Sequence, residues 1–477
     1  MIEELEKIVG HDRVSASETV CLTYAYNATA GKSVVRKPDM VVMPETTEEV
    51  SEVLKAANRF KVPVTPKGVV GGTGHGGPLR GGILLDLTLM DRIDLIDPVN
   101  MKTVAEAGCS FFKLSHELFK VGLILPTAPY GPGPNVAASA IVPVNAFGET
   151  RYGANINLVE GFEIVLPTGE ITRVGSMAYA DSEFGPYYRY ITGPDLVGLF
   201  TRSNGAFGIV TKVAYRCLRR PRLWSFHAYY WPMGKIEGLA KALNESTAVE
   251  TFGVHLMDRW CWVKINEVDL PDDCQFFLLF LLNAENELEM KGKEQTMKEI
   301  CENSSGICFP GFAEFFYTQW PTHFLFAEMV LPPRNTLPAK KPRSAINVFD
   351  ELIYPTSWLP ECYTKIRSIL EAHGLGGPDR PFAYSGFPMN AQTISAHTWG
   401  AIDDGDSDLV ERVRACKEEF REWFGKKGGT MQMRIPPLAP DFLWKNQTSD
   451  LSLLKKIKSV LDPNNICSPG TFEMEEA

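Results

Sequence analysis

The sequence predicts an α+β fold in more than one lobe, and three observations carry that prediction. Up to about residue 222, short strands and short helices alternate. From there to about 430 the composition turns aromatic and includes two long helices, at 285–301 and 407–425. A compact helix at 450–461 then closes the chain. A length of 477 residues is also too great for one ordinary core.

Taken in order, Val41-Val42-Met43 reads as a short strand ended by Pro44. Thr46 and Glu49 fit a helical capping box, and Val50, Val53, Leu54 and Ala57 form the apolar stripe behind it. Val62-Pro63-Val64 is the next strand, residues 67–82 are a glycine-rich loop, and Ile83–Leu87 and Thr103–Ala107 are strands again. Phe111–Val121 has helical spacing and stops at Gly122. Two strands joined at Pro167-Thr168-Gly169 give a hairpin, and Phe207–Tyr215 is a further strand. Arg219-Arg220-Pro221 breaks this pattern, which puts a domain boundary near 222. The longest apolar run, Phe276–Leu282, is too short to cross a bilayer and reads as a buried strand.

Bulk properties narrow the function. With 44% apolar and 22% charged residues, the chain is an ordinary globular one rather than disordered. A net charge of −10 without a basic run argues against nucleic acid as a partner. The polar Met1–Lys7 segment carries no secretory signal. None of the ten cysteines forms a C-x-x-C pair, and Cys301 with Cys308 matches no zinc or iron–sulfur spacing. Reduced thiols and a cytoplasmic location are the expectation.

The richest segment runs from Pro66 to Gly77. It holds Lys67, Gly68, Val69, Val70, Gly71, Gly72, Thr73, Gly74 and His75, with six glycines between 68 and 77. Glycine costs backbone entropy, so such a density usually serves close approach of the main chain to something else. Successive free N–H groups make a concavity suited to phosphate, and Lys67 adds positive charge at its edge. The loop is neither a Rossmann fingerprint nor a P-loop: no clean G-x-G-x-x-G opens a long helix, and no Gly-Lys-Ser/Thr closes it. By itself it is equally compatible with a surface loop.

The order of the surrounding landmarks resembles the FAD-binding domain of the vanillyl-alcohol oxidase / p-cresol methylhydroxylase (PCMH-type) superfamily, which includes FAD-linked D-lactate and glycolate dehydrogenases. Pro44-Glu-Thr-Thr-Glu-Glu-Val50, the glycine loop, Asp86–Ile93, Asn135-Val-Ala-Ala138, Arg151-Tyr152-Gly153, Pro167-Thr-Gly-Glu170, Leu199–Asn204, Gly208-Ile209-Val-Thr-Lys212 and Leu461-Asp-Pro-Asn-Asn-Ile466 follow in the family's sequence. The resemblance implies a two-lobed FAD-binding domain made from residues 1–222 and a returning tail, 443–477. It also implies an α+β cap over the flavin, 223–442. FAD contacts are expected from residues 67–75, Pro126, Thr127, Asn135, Ala138, Tyr152, Gly153, Gly208 and Ile209. The chain offers no histidine or tyrosine where relatives attach the flavin, so FAD is expected to be non-covalent.

The cap decides the substrate. The hydroxyacid branch's metal-binding H-x-x-D-G-N-x-H stretch is absent; the segment from His397 lacks the second histidine, so no metal is expected. Phe184-Gly-Pro-Tyr187, Leu199–Asn204 and Gly208–Lys212 resemble the phenol-oxidising branch's Y-G-P-Y … L-F-x-Q-S-N-x-G-I-V-T-K, with extra residues inserted here. However, Met433 replaces the tyrosine of that branch's Tyr-Arg pair, and Ala154-Asn155 follows Tyr152-Gly153 where it has an acid. Arg434 remains, suited to pair with a substrate anion or with the reduced flavin. His397 and Tyr384 are the candidate bases. The implied activity is FAD-dependent oxidation of a small alcohol, hydroxyacid or phenol-like substrate by hydride transfer to flavin N5. Two alternatives stand beside it: a D-2-hydroxyacid dehydrogenase with an electron-accepting protein partner, and a non-catalytic flavin-binding subunit. A homodimer is compatible with either.

Overall fold

The computed structural model describes residues 1–25, 36–68, 77–126, 134–141, 148–190, 193–260, 270–312, 344–376, 382–389, 392–402, 406–431 and 448–471. Strands β1 (Val14–Ser15), β2 (Met40–Val42), β3 (Val64–Lys67) and β4 (Ile83–Asp86) form a sheet in the order β1-β2-β4-β3. Both β2 and β3 run parallel to β4. Parallel neighbours need a crossover, and the helix Thr47–Phe60 supplies it between β2 and β3. Its N-cap is Thr46, whose hydroxyl accepts from Glu49 N at 3.1 Å. The expected return bond from Glu49 shifts by one residue, to Glu45 N at 2.7 Å, because a fork from Arg13 at 2.7 and 2.8 Å holds the carboxylate there.

Seven more strands follow: β5 (Ile93–Asp97), β6 (Lys102–Glu106), β7 (Leu123–Ile124), β8 (Val159–Val165), β9 (Ile171–Gly175), β10 (Ile209–Arg216) and β11 (Leu218–Arg219). Five of them make an antiparallel sheet in the order β5-β6-β10-β8-β9, while β7 pairs with β11. The expected hairpin is β8–β9. The helix Thr47–Phe60 lies between the two sheets: Val50, Val53, Leu54 and Ala57 share one core with Val42, Leu85, Phe162 and Ile164. Thr47 Oγ1 donates to the buried Glu163 at 2.9 Å.

The second body is one large sheet. β12 (Leu223–Pro232), β13 (Gly253–Asp258), β14 (Cys274–Ala284), β15 (Ile307–Cys308), β16 (Ser344–Pro355), β17 (Ala383–Met389), β18 (Thr393–Ile402) and β19 (Thr430–Met431) pair in the order β15-β12-β14-β13-β17-β18-β16-β19. The run Phe276–Leu282 is in β14, buried throughout as a strand covered on both faces should be. Helices Ile236–Glu245, Glu287–Asn303, Leu359–Ala372 and Ser407–Lys426 cover one face, through Leu239, Met297, Ile366 and Phe420. The other face, through Met257, Phe277, Leu279 and Phe387, packs with Ile124, Phe119, Tyr152 and Leu218 of the first body.

A short helix, Glu149–Tyr152, fastens the two bodies. Arg151 bonds Glu250 at 2.8 Å and Asn283 at 3.2 Å, and Thr150 Oγ1 accepts from Val254 N at 2.9 Å. The closing helix Thr448–Leu461 returns to the first body, where Leu451, Ile466 and Cys467 join its core. No helix among the described residues is long and apolar enough to cross a membrane.

Candidate active site

The glycine loop leaves the C-terminal end of β3. Gly68 lies against the segment Asn135–Ala138: a Cβ on it would stand 2.9 Å from Asn135 Oδ1 and 3.2 Å from Ala138 Cβ. That segment is tied down on its far side. Its backbone pairs with 109–111, through Phe111 N to Pro134 O and Val136 N to Cys109 O, both at 2.9 Å. Asn135 Nδ2 donates to the Gly108 carbonyl. Tyr215 OH on β10 donates to Val136 O at 2.8 Å and accepts from Asn155 at 3.1 Å. Gly68 is thus brought against Asn135 and Ala138, which share one segment far along the chain, at a fixed seam.

Lys67 precedes that seam, beside Asp86 across the parallel β3–β4 pair. Burial pulls its ammonium pKa down and Asp86 offsets part of that. A nearby anion would relieve the remainder. The tail meets the same strand: Val64 N donates to Ile466 O and Ser468 N to Val64 O, both at 2.8 Å. Gly205 sits where a Cβ would meet the Pro66 ring at 2.5 Å and Ser468 Oγ at 3.2 Å. Around this cradle the buried Ser139 Oγ, Ser468 Oγ and Arg202 Nε have no hydrogen-bond partner among the described residues. Buried polar atoms are normally satisfied, so the arrangement fits a polar, anionic group such as FAD.

The other expected contacts are more dispersed. The Pro126 carbonyl abuts Gly148, where a Cβ would lie 2.0 Å away. Tyr152 is in the seam between the bodies, edge-on to Phe252 at 5.7 Å, and burial raises its pKa. Gly153 adopts φ 73°, open to glycine and strained for other residues. Gly208 abuts Val165, and Ile209 is fully buried in the first core, so its side chain is structural and only its backbone is available to a ligand. Val69, Val70, Gly71, Gly72, Thr73, Gly74, His75 and Thr127 lie outside the described residues, as does Arg434.

The catalytic expectation for Tyr384 requires correction. Its ring is fully buried on the helix-covered face of the large sheet, its hydroxyl bonds Tyr354 and its backbone N donates to Asp258 at 3.1 Å. Side chains alternate along a strand, so the neighbour, not Tyr384, belongs to the face toward the first body. For His397 the register gives the position: it pairs with Ser385, which pairs in turn with Met257.

A different histidine does reach the face toward the first body. His255 on β13, with 5% of its surface exposed, alternates with Val254 and Leu256 of the helix-covered core and stacks on Phe387 at 4.3 Å and 19°. The signal was available in Phe252–Asp258: period-two reading puts 255 and 257 on one side, with the histidine the odd member. Among the described residues no cluster of three His, Cys, Asp or Glu side chains could hold a metal ion.

Comparison with known proteins agrees on the family. The family model described as "FAD binding domain" matches residues 38–175, and that described as "FAD linked oxidases, C-terminal domain" matches 439–472. The chain is 27% identical to the mitochondrial D-lactate dehydrogenase [cytochrome] of Arabidopsis thaliana, covering 91% of this chain and 73% of that one. It is 24% identical to a glycolate oxidase subunit of Bacillus subtilis, covering 100% and 97%. Among solved structures it superposes on 4-ethylphenol oxidase from Gulosibacter chungangensis with a TM-score of 0.82 at 17% identity, covering 99% of this chain and 96% of that one. The p-cresol methylhydroxylase structure gives the same values. Matches to FAD-linked oxidase families at the two ends of the chain, joined by a fold similar to that of the PCMH-type structures, make the protein a FAD-dependent oxidoreductase.

Proposed function

We propose that the substrate is a small 2-hydroxy acid or a closely related alcohol, oxidised at the carbon that bears the hydroxyl. The observation that carries this reading is His255, a buried imidazole on the sheet face turned toward the FAD-binding body. Bound FAD would supply the two-electron acceptor. The protein has to hold the hydroxyl-bearing carbon toward the flavin and receive the hydroxyl proton, so that the substrate gives up one hydride and one proton and becomes the carbonyl product. A neutral imidazole can accept that proton. His255 is assigned that role, with His397 as the second candidate. Arg434 is assigned the substrate carboxylate.

In this reading residues 1–222 and 443–477 hold FAD without a covalent bond, through the loop 67–75, Asn135 and Ala138, and residues 223–442 form the cap. The D-lactate dehydrogenase and glycolate oxidase relatives match over 91% and 100% of this chain, and the 4-cresol dehydrogenase flavoprotein subunit of Pseudomonas putida over 46%, which supports a hydroxy acid. A cytochrome-type electron acceptor and a cytoplasmic location complete the proposal; the described cysteines are all free thiols.

Anaerobic titration of the holoenzyme with short 2-hydroxy acids, primary alcohols and alkylphenols tests it. Bleaching of the flavin band by hydroxy acids is expected, and His255→Gln should slow that bleaching by about a hundred- to ten-thousandfold with FAD retained. Bleaching by alkylphenols alone, or by dithionite alone, would overturn the assignment.

A further inference from the structure

We infer that Arg202 faces the cofactor, its guanidinium taking an anionic oxygen of bound FAD. This rests on the FAD cradle described above and adds to it a cation that the spacing of motifs did not single out. Arg202 opens the turn Arg202-Ser203-Asn204-Gly205, which bridges the two sides of the cradle. At one end, Arg202 N donates to Ala140 O at 3.4 Å, one residue from the unsatisfied Ser139 hydroxyl and on the short helix that begins beside Gly68. At the other, Gly205 abuts Pro66 and Ser468.

The turn is held in an unusual conformation to do this. Arg202 has φ 57° and Asn204 φ 50°, both in the left-handed region that non-glycine residues seldom occupy. Such conformations persist where the surroundings over-determine them, often at ligand sites. The side chain is mostly withdrawn from water, and its Nε is buried without a hydrogen-bond partner among the described residues. Burial lowers the guanidinium pKa; attraction from Glu149, a fully buried carboxylate on the helix that fastens the cap, works against that without restoring it. A cation left partly compensated in a dry site is poised to accept an anion, and a guanidinium's planar donors suit phosphate or an anionic ring edge.

Three roles for Arg202 make different predictions, and Arg202→Gln separates them, because Gln keeps an amide donor and removes the charge. Full-length protein is stripped of FAD and retitrated, with the melting temperature of the stripped protein and inhibition of the holoenzyme by oxalate measured alongside. A cofactor-facing Arg202 predicts that the FAD Kd of Arg202→Gln rises about tenfold or more, the charged hydrogen bond being lost. It also predicts that Arg202→Lys falls between the two and that the stripped protein melts no lower than wild type. A lower melting temperature with an unchanged FAD Kd would make Arg202 a structural partner of Glu149 and overturn the inference. An unchanged FAD Kd with weakened oxalate inhibition would assign the cation to substrate and overturn it too. Failure of stripped wild-type protein to take up FAD would instead sink the cradle itself.

Discussion

A side chain at position 68 has nowhere to go. Asn135 is held by the Gly108 carbonyl and by the paired backbone on either side of it, so it cannot yield cheaply to a Cβ 2.9 Å from its Oδ1. Gly68→Ala therefore has to push the start of the loop away from Asn135–Ala138, at an overpacking cost of about 1–3 kcal/mol. Because the displaced segment is the cradle and not the core, we expect FAD affinity to fall about tenfold or more while the melting temperature moves by only a few degrees. An unchanged FAD Kd in calorimetric titration would show that the seam plays no part in binding. Three of the residues at this seam were legible in the sequence because each belongs to a local motif, and motifs survive without knowledge of the fold. The facing of residues in the large sheet was not. Whether a strand residue faces the first body or the helices depends on register, and a shift of one residue exchanges Tyr384 for Ser385. The facing of Tyr384 was misjudged and that of His255 missed for that single reason.

At the scale of elements, the loop after the last helix shows how a sequence signature can be structural. Asp462 is buried, and its carboxylate accepts from Ile466 N and Cys467 N at 2.8 Å each while Lys458 Nζ approaches at 2.5 Å. Lys458 in turn donates to Ala206 O at 2.7 Å and Cys467 O at 2.6 Å. The Asp-Pro-Asn-Asn segment thus sets the tail that pairs with β3. Asp462→Ala leaves two backbone amides and an ammonium without their acceptor, so we expect a loss of about 3 kcal/mol or more of stability in urea unfolding. A loss under about 1 kcal/mol would mean that water replaces the carboxylate readily. Regular elements of this kind were legible: the capped helix Thr47–Phe60 and the β8–β9 hairpin, with Gly169 at φ 87°, follow from caps and turn chemistry. By contrast β16 runs for 12 residues with two register shifts against β18, which destroys the period-two signal.

The whole molecule is built on pairings that no local signal announces. β13 pairs with β17 across more than a hundred intervening residues, and Cys467 bridges back to Val64 from the opposite end of the chain. The two cores nevertheless draw on different segments. The one beneath the helices of the large sheet takes its members from Tyr229 to Phe424, and the first takes Leu451, Ile466 and Cys467 from the tail. A chain ended at residue 447 would therefore injure one body only. It would lose the buried Leu451 and Ile466, each contributing about 1.5–3 kcal/mol, together with the backbone bonds along β3. Against a total stability of about 5–15 kcal/mol, that loss should open the first body while the large sheet stays folded. We expect limited proteolysis of the truncated protein to cut within 1–222 and to spare a fragment from about 223 to 430, and purified preparations to carry no flavin. A truncated chain that kept FAD at the wild-type ratio would show that the tail is an accessory to the cradle rather than one of its walls.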